Sequence, residues 1–476
     1  MISNMGLVII CADLIAIIVY IHNSEKLEFF FLIQMFVLSL FFGMGYVLDI
    51  GPIIYYDMYG ELVYIVISLL VTDVCKGVTR GQVFAISLFL LSVFAGYVIV
   101  MLGINMPYIV SWDVTNDDVF YGRAQLSKPM LGASNRYYLI RMLIFFIVTL
   151  RCRKYFVERK KIDKVIEAIK NAFSFYFTAL FIELAYNNIV SKILLRQFIL
   201  KNLGVIEISE PFYQIRTAFG WAGADGFFSE PSYIGIAFFY LIIMCVTGIR
   251  KKVDYYTMIM GGVMFVACGA QTGFLLLPLW GYIWVKSFIL PKIKRGTVAK
   301  IRKKVFFWRG IFMACVIALY ITNESRINST FERLWGLVND KYAAYMGEQV
   351  SGSLTALSGA TRAFGNNICY SAFFKSPLFG VGLGTTRGYG ILPGALACLG
   401  IVGCIFYIFY MKVFLNLTLR RNVFMVLLIF VYCAFLLSVT YLDMAAIILM
   451  FIPFSRLLQN SYDEKIGVNE NEKDFV

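Results

Sequence analysis

Long apolar runs alternate along this chain with short polar or basic interruptions. A bilayer crossing needs about 20 apolar residues. Thirteen runs qualify, near 5–22, 28–48, 57–75, 82–104, 137–150, 171–190, 232–249, 254–269, 273–290, 305–321, 391–415, 423–441 and 444–458, and counts of 11 to 14 bracket the reading. The third and fifth are the weakest, since Asp57 and Glu61 interrupt one, and the other is short and contains Arg141. An arginine inside a span must face the protein interior or an aqueous cavity, and Arg141 is expected to pair with a carboxylate such as Glu183.

The basic stretches "RCRKYFVERKKIDK" (151–164), "RKK" (250–252), "PKIKRGTVAKIRKK" (291–304) and "LRRN" (419–422) fall on one face if the crossings alternate, which makes that face cytoplasmic. The two longest connections, 191–231 and 322–390, then fall outside. The first begins "IVSKILLRQFILKNLGV", with apolar residues at helical spacing and cations between them, the pattern of an amphipathic helix on the outer leaflet. Residues 1–458 thus read as one polytopic domain, and the polar tail 459–476 as a disordered cytoplasmic extension.

Composition agrees with the pattern. With 476 residues, 60% of them hydrophobic and 15% charged, and a mean hydropathy of +0.76, the chain lacks the polar surface a water-soluble domain must present. The expected fold class is an all-α integral membrane protein. The net charge of +14 would suggest nucleic acid in a soluble protein, but the cations cluster between apolar runs and read as topology, so no nucleic-acid partner is expected. Met1 to Gly6 carries no lysine or arginine and no cleavage site follows, so the first run is expected to remain as a helix. Of the 10 cysteines, only Cys152 and Cys369 fall in segments read as loops, on opposite faces, and no disulfide between them is expected. The single histidine, His22, ends the first run, leaving none for a catalytic triad or for metal ligation elsewhere.

Two motifs carry candidate chemistry. "GWAGADGFFSEPSYIG" leads from a glycine-rich linker through Ser229, Glu230 and Pro231 into an apolar run. Ser229 or Glu230 can cap that helix, with Pro231 in its first turn. A carboxylate at the junction of lipid, water and loop is also partly desolvated, which raises its pKa and suits a general base. Both readings of Glu230 remain open from local physics. The second motif, "GVGLGTTRGYG" (380–390), has the glycines of a phosphate loop but neither the following lysine nor a βαβ context, and it reads as a flexible turn. Asp117 and Asp118 form an acidic pair that could hold a divalent cation, but a solvated loop is the plainer reading, so neither metal nor cofactor is expected.

Taken in order, "RTAFGWAGADGFFSEPSYIG", "CGAQTGFLLLPL" and "SGATRAFGNNICYSAFFKSPLFGVGLGTTRGYG" resemble the external-loop signatures of bacterial O-antigen and capsule repeat-unit polymerases of the Wzy type. The similarity runs from Arg216 to about Gly390, and the first four or five helices carry no matching motif. Lipid A-core O-antigen ligases share the layout but use a histidine in the second large loop, where this chain has none. The resemblance implies a membrane glycosyltransferase of GT-C-like architecture in the bacterial cytoplasmic membrane, its site facing the periplasm. Donor and acceptor would be undecaprenyl diphosphate-linked oligosaccharides, with a chain-length regulator and a flippase as further partners. It also implies roles: Glu230 as catalytic base, Arg216 and Arg362 as catalytic cations, and Arg216, Arg362 and Arg387 as ligands of the diphosphate. Arginine suits that site because its planar fork binds phosphate oxygens bidentately and stays charged. For Arg362 a lipid-headgroup role is the alternative. The rival function is a transporter of the same lipid-linked oligosaccharides, which would place ionisable residues at the bilayer midplane.

Overall fold

Thr79 and Gln82 show how this sequence starts a membrane helix. The Thr79 hydroxyl accepts from Gln82 N (3.3 Å) and the Gln82 amide oxygen accepts from Thr79 N (2.9 Å), a reciprocal cap that satisfies two free donors. Gly103, in the left-handed region at φ 65°, ends the same helix. The computed structural model describes residues 2–42, 45–49, 53–71, 78–103, 108–109, 126–157, 159–190, 194–204, 217–218, 221–222, 256–262, 354–386, 388 and 390–415.

Within these the elements in chain order are α1 (Asn4–Tyr20), α2 (Ser24–Phe41), β1 (Tyr46–Asp49), β2 (Ile53–Tyr55), α3 (Tyr56–Val71), α4 (Arg80–Leu102), α5 (Ala133–Val157), α6 (Arg159–Ile189), α7 (Leu194–Leu203), β3 (Thr217–Ala218), β4 (Trp221–Ala222), α8 (Leu354–Lys375) and α9 (Ile391–Leu415). Four helical stretches among the described residues are long and apolar enough to cross a membrane: Arg80–Leu102, Ala133–Arg153, Lys161–Ile189 and Leu392–Tyr410. Asn4–Tyr20 is apolar but shorter. Their burial is that of a lipid-facing protein. On α4 the large residues Phe84, Leu91, Phe94, Val98 and Met101 point outward, while Ala85, Ser92 and Gly96 pack inward. The expected runs at 232–249, 273–290, 305–321, 423–441 and 444–458, most of 254–269, the Asp117–Asp118 loop and the tail lie outside the described residues.

Three expectations are corrected. The run at 28–48 ends as a helix at Phe41, and its last residues form β1, paired antiparallel with β2. A short apolar run has no period that separates a buried strand from a last helical turn. The basic stretch 151–164 is not a loop: α5 continues to Val157 and α6 starts at Arg159. At about 37 Å and 46 Å, these helices overreach a hydrocarbon core of about 30 Å and carry their cations beyond it. Cys152 therefore lies in α5; Cys369, also expected in a loop, lies in α8, and both are buried.

The described residues form two compact units. The first contains α1, the end of α2, β1 and β2, the start of α3, most of α6, and α7. The sequence places an amphipathic helix where α7 forms, and its end docks on the hairpin: Leu203 is buried with Ile9, Leu38, Val47 and Tyr56. The Tyr56 hydroxyl donates to Leu203 O at 3.1 Å. In the same unit, Phe41 stacks on Tyr176 at 4.4 Å and meets Phe173 edge-on at 5.1 Å.

The second unit contains α4, α5, α8, α9 and α3 from Glu61 onward. Helix α9 packs along α4 and α8 and touches α5. Arg141 of α5 pairs with Glu61 of α3 at 2.8 Å, both side chains buried. Nearly three turns further along α5, Arg151 donates from Nε to Ser68 Oγ at 3.2 Å. Desolvated arginine is tolerable here because each guanidinium has an acceptor within reach.

Candidate functional site

Helix α9 breaks at Gly400, where φ is 66° and ψ is −175°, a conformation open essentially to glycine alone. The break lies inside the apolar span Leu392–Tyr410, where free backbone groups are costly unless the protein itself satisfies them. The segment 376–386 does so. Ile401 N donates to Pro377 O at 2.8 Å, Val402 N to Leu378 O at 3.0 Å, and Val381 N to Ala397 O at 2.8 Å. Ala397 and Ile401 would bond each other in an unbroken helix; here each bonds to the loop.

The loop is held equally from its other sides. Asn135 Nδ2 donates to Leu383 O and to Thr385 Oγ1, both at 2.8 Å. The Tyr97 hydroxyl donates to Leu383 O at 3.1 Å, and Ser376 Oγ donates to Gly380 O at 2.8 Å. Val381, Leu383 and Thr386 are fully buried. The flexible turn expected for "GVGLGTTRGYG" is therefore corrected over 380–386 to a packed wall whose backbone is fixed by α4, α5 and α9. Its glycines are needed for contact: at Gly380, also at φ 66°, an added Cβ would stand 2.5 Å from Ala397 O.

Gly400→Ala should destabilise the protein by about 3 kcal/mol or more, combining backbone strain with a clash against the Leu378 carbonyl. Gly103→Ala, at φ 65° but with open space around it, should cost only about 1–2 kcal/mol. Thermal unfolding of the two variants in detergent checks the ranking, and equal midpoints would contradict the packed wall described above.

The wall also packs against one more helix, α8. Thr386 is hydrogen-bonded to the Cys369 side chain of α8, and Cys398 Sγ donates to Thr386 O at 3.5 Å. Gly388 lies against Cys369 as well, since a Cβ there would come within 3.2 Å of its sulfur. The residues on both sides of Arg387 are thus placed against Cys369, while Arg387 itself lies outside the described residues. Burial pushes the Cys369 thiol up, so it stays protonated and serves packing rather than nucleophilic chemistry. Arg362 is in α8, seven residues before Cys369, which is two turns and about 10 Å along the same helical face.

Arg216 and Glu230 lie outside the described residues. After Arg216, Thr217–Ala218 pairs antiparallel with Trp221–Ala222, and the rest of the glycine-rich linker lies outside the described residues. Sequence reasoning missed Asn135 and Tyr97, whose partners are some 250 residues or more away in the chain, and no local signal marks them. It also missed Asp13, buried within α1, which accepts from Gln34 Nε2 at 2.6 Å and from the Tyr59 hydroxyl at 2.7 Å. A lone carboxylate in an apolar run is a visible signal of such a site.

Fold and burial define a largely helical protein with several helices suited to a membrane. No family model, curated protein or solved structure matches the chain.

Proposed function

We propose that this chain is a membrane glycosyltransferase that polymerises undecaprenyl diphosphate-linked oligosaccharide repeat units into O-antigen or capsular polysaccharide. About thirteen crossings in a GT-C-like arrangement, with the site at the outer face of the bacterial cytoplasmic membrane, complete the reading. The acceptor hydroxyl oxygen bonds to the donor's anomeric carbon while the bond from that carbon to the diphosphate oxygen breaks. Undecaprenyl diphosphate leaves with the electron pair, and Glu230 takes the hydroxyl proton. Arg216, Arg362 and Arg387 offset the charge that grows on the leaving group, a role in which one positioned donor is commonly worth about 10²- to 10³-fold in rate. The observation that carries the reading is the order of the arginine, Glu-Pro-Ser and "PLFGVGLG" motifs. The packing of the residues beside Arg387 onto the face of α8 that holds Arg362 supports it.

A transporter of the same lipid-linked sugars is favoured by a different observation, the ionisable groups buried in apolar helices: Asp13 with Gln34 and Tyr59, and Glu61 with Arg141. An O-antigen ligase remains the alternative within the glycosyltransferases. Purified protein incubated with one lipid-linked repeat unit should yield a ladder of products, undiminished by chelator. Translocation without a ladder would establish the transporter instead. Transfer of a single finished chain to lipid A-core would establish the ligase.

A further inference from the structure

Helix α1 buries one carboxylate. Its inward stripe is Gly6, Ile9, Asp13 and Ala16, while Leu7, Leu14 and Ile18 face outward. Asp13 lies near the middle of the helix and is 5% exposed. Two neutral donors meet it: Gln34 Nε2 of α2 at 2.6 Å on Oδ1, and the Tyr59 hydroxyl of α3 at 2.7 Å on Oδ2. All three residues belong to the first unit. Strand β1 and helix α7 also pack on α1, at its first turn. There Asn4 donates to Asn202, and Gly6, about 10 Å along the helix from Asp13, lies against Val47. Of the ionisable side chains described on those two elements, Tyr46, Asp49 and Lys201, none bonds to Asp13. Among the described residues, no cation balances this carboxylate.

Neutral donors ease a buried anion but leave its charge in place, and in an apolar layer that charge is relieved by taking up a proton. The site holds what the neutral form needs. Gln34 Oε1 is buried and has no hydrogen-bond partner among the described residues. An amide meets both forms of a carboxyl group: Nε2 donates to the anion, and Oε1, once the amide turns over, accepts from the acid O–H. Tyr59 can donate to the other oxygen in either form. The turn exchanges one amide hydrogen bond for another, so the forms differ chiefly in charge. A hard metal cation takes about six or more oxygen ligands, beyond what one carboxylate, one amide and one phenol supply. We infer that Asp13 is a proton-binding site inside the apolar layer, exchanging between carboxylate and carboxylic acid with Gln34 as its partner in both forms. The proton comes from water and bonds to Oδ1, and apart from hydrogen bonds nothing else is made or broken. No residue of the glycosyltransferase site takes part, and polymerisation need not change with it.

Infrared difference spectra of the full chain in detergent, taken between mildly alkaline and mildly acidic buffer, read the carbonyl stretch of a protonated carboxyl group. Wild type should gain such a band on acidification, and Asp13→Asn should lack it. Tyr59→Phe should keep the band at a raised frequency, because the acid's carbonyl oxygen has lost its donor. Gln34→Leu should raise it too, because the acid O–H has lost its acceptor. Should Asp13→Asn fail to insert, the Tyr59→Phe shift still assigns the band, since Tyr59 bonds to no other carboxylate among the described residues. A wild-type spectrum without the band, the same band in Asp13→Asn, or a band unmoved in Tyr59→Phe overturns the inference. A thermal midpoint that rises with sodium chloride over choline chloride in wild type, and not in Asp13→Asn, makes this a metal-cation site and also overturns it.

Discussion

Arg362→Lys is expected to lose most polymerisation, roughly 10²-fold, with the protein still present in the membrane at wild-type abundance. Position and charge are both kept by the change. Arg362 lies well inside α8, eight residues after its first position, and lysine is as good a helix former there. What disappears is the planar fork that holds two phosphate oxygens at once while negative charge grows on them. An ammonium is a compact, strongly hydrated charge, and it keeps general attraction to an anion without the bidentate geometry. A headgroup arginine at the membrane surface predicts the opposite, because lysine binds a lipid phosphate almost as well. Ladder synthesis per unit of membrane-inserted protein distinguishes the two, and wild-type turnover in the lysine variant returns Arg362 to the headgroup role. Undecaprenyl diphosphate binding should weaken in parallel, since the fork acts on the ground state as well.

How much of this was legible depends on whether the signal is local. The apolar runs locate α1, α3, α4 and α9 to within a few residues, because in lipid each helix satisfies its own backbone and needs no partner to be recognised. Charge weakened both of the weakest runs, the second of which was also short. Glu61 lowers the hydropathy of one and Arg141 that of the other, and the fold pairs them at 2.8 Å. Hydropathy sums charges along one segment and cannot see that two poor segments neutralise each other. The partner of a buried charge is a tertiary fact.

The glycine segment shows the same limit in the opposite sense. Glycines with no regular period read as flexibility, yet Gly380, Gly382 and Gly384 take positive φ in a loop that Asn135, Tyr97 and the broken helix at Gly400 hold fixed. Nothing within ten residues of "PLFGVGLG" announces Asn135. The candidate site was therefore legible as a set of motifs and not as an arrangement. Arg362 and Arg387 were chosen for their chemistry, whereas the Cys369 side chain is what places Thr386 and Gly388 against the helix that carries Arg362. That cysteine was read as a loop residue.

The Ser229-Glu230-Pro231 motif supplies the other large effect. If Glu230 takes the proton of the acceptor hydroxyl, Glu230→Gln keeps the side chain's size and much of its capping capacity and removes the basicity. Polymerisation should then fall by roughly 10²-fold or more, the usual range for loss of a positioned base. Binding of undecaprenyl diphosphate should be unchanged, because Glu230 acts on the acceptor and the arginines on the donor's leaving group. Glu230→Asp should be intermediate, as it keeps a carboxylate withdrawn by one methylene. A purely capping role orders the variants differently. Aspartate is among the best N-terminal caps, so Glu230→Asp would be nearly wild type, glutamine close behind, and only alanine or a bulky apolar residue harmful, through loss of about 1 kcal/mol of helix stability. The two orders diverge most at glutamine. Ladder length and membrane abundance measured together for Gln, Asp and Ala separate a catalytic loss from a folding loss, and a fully active Gln variant would leave Glu230 a cap.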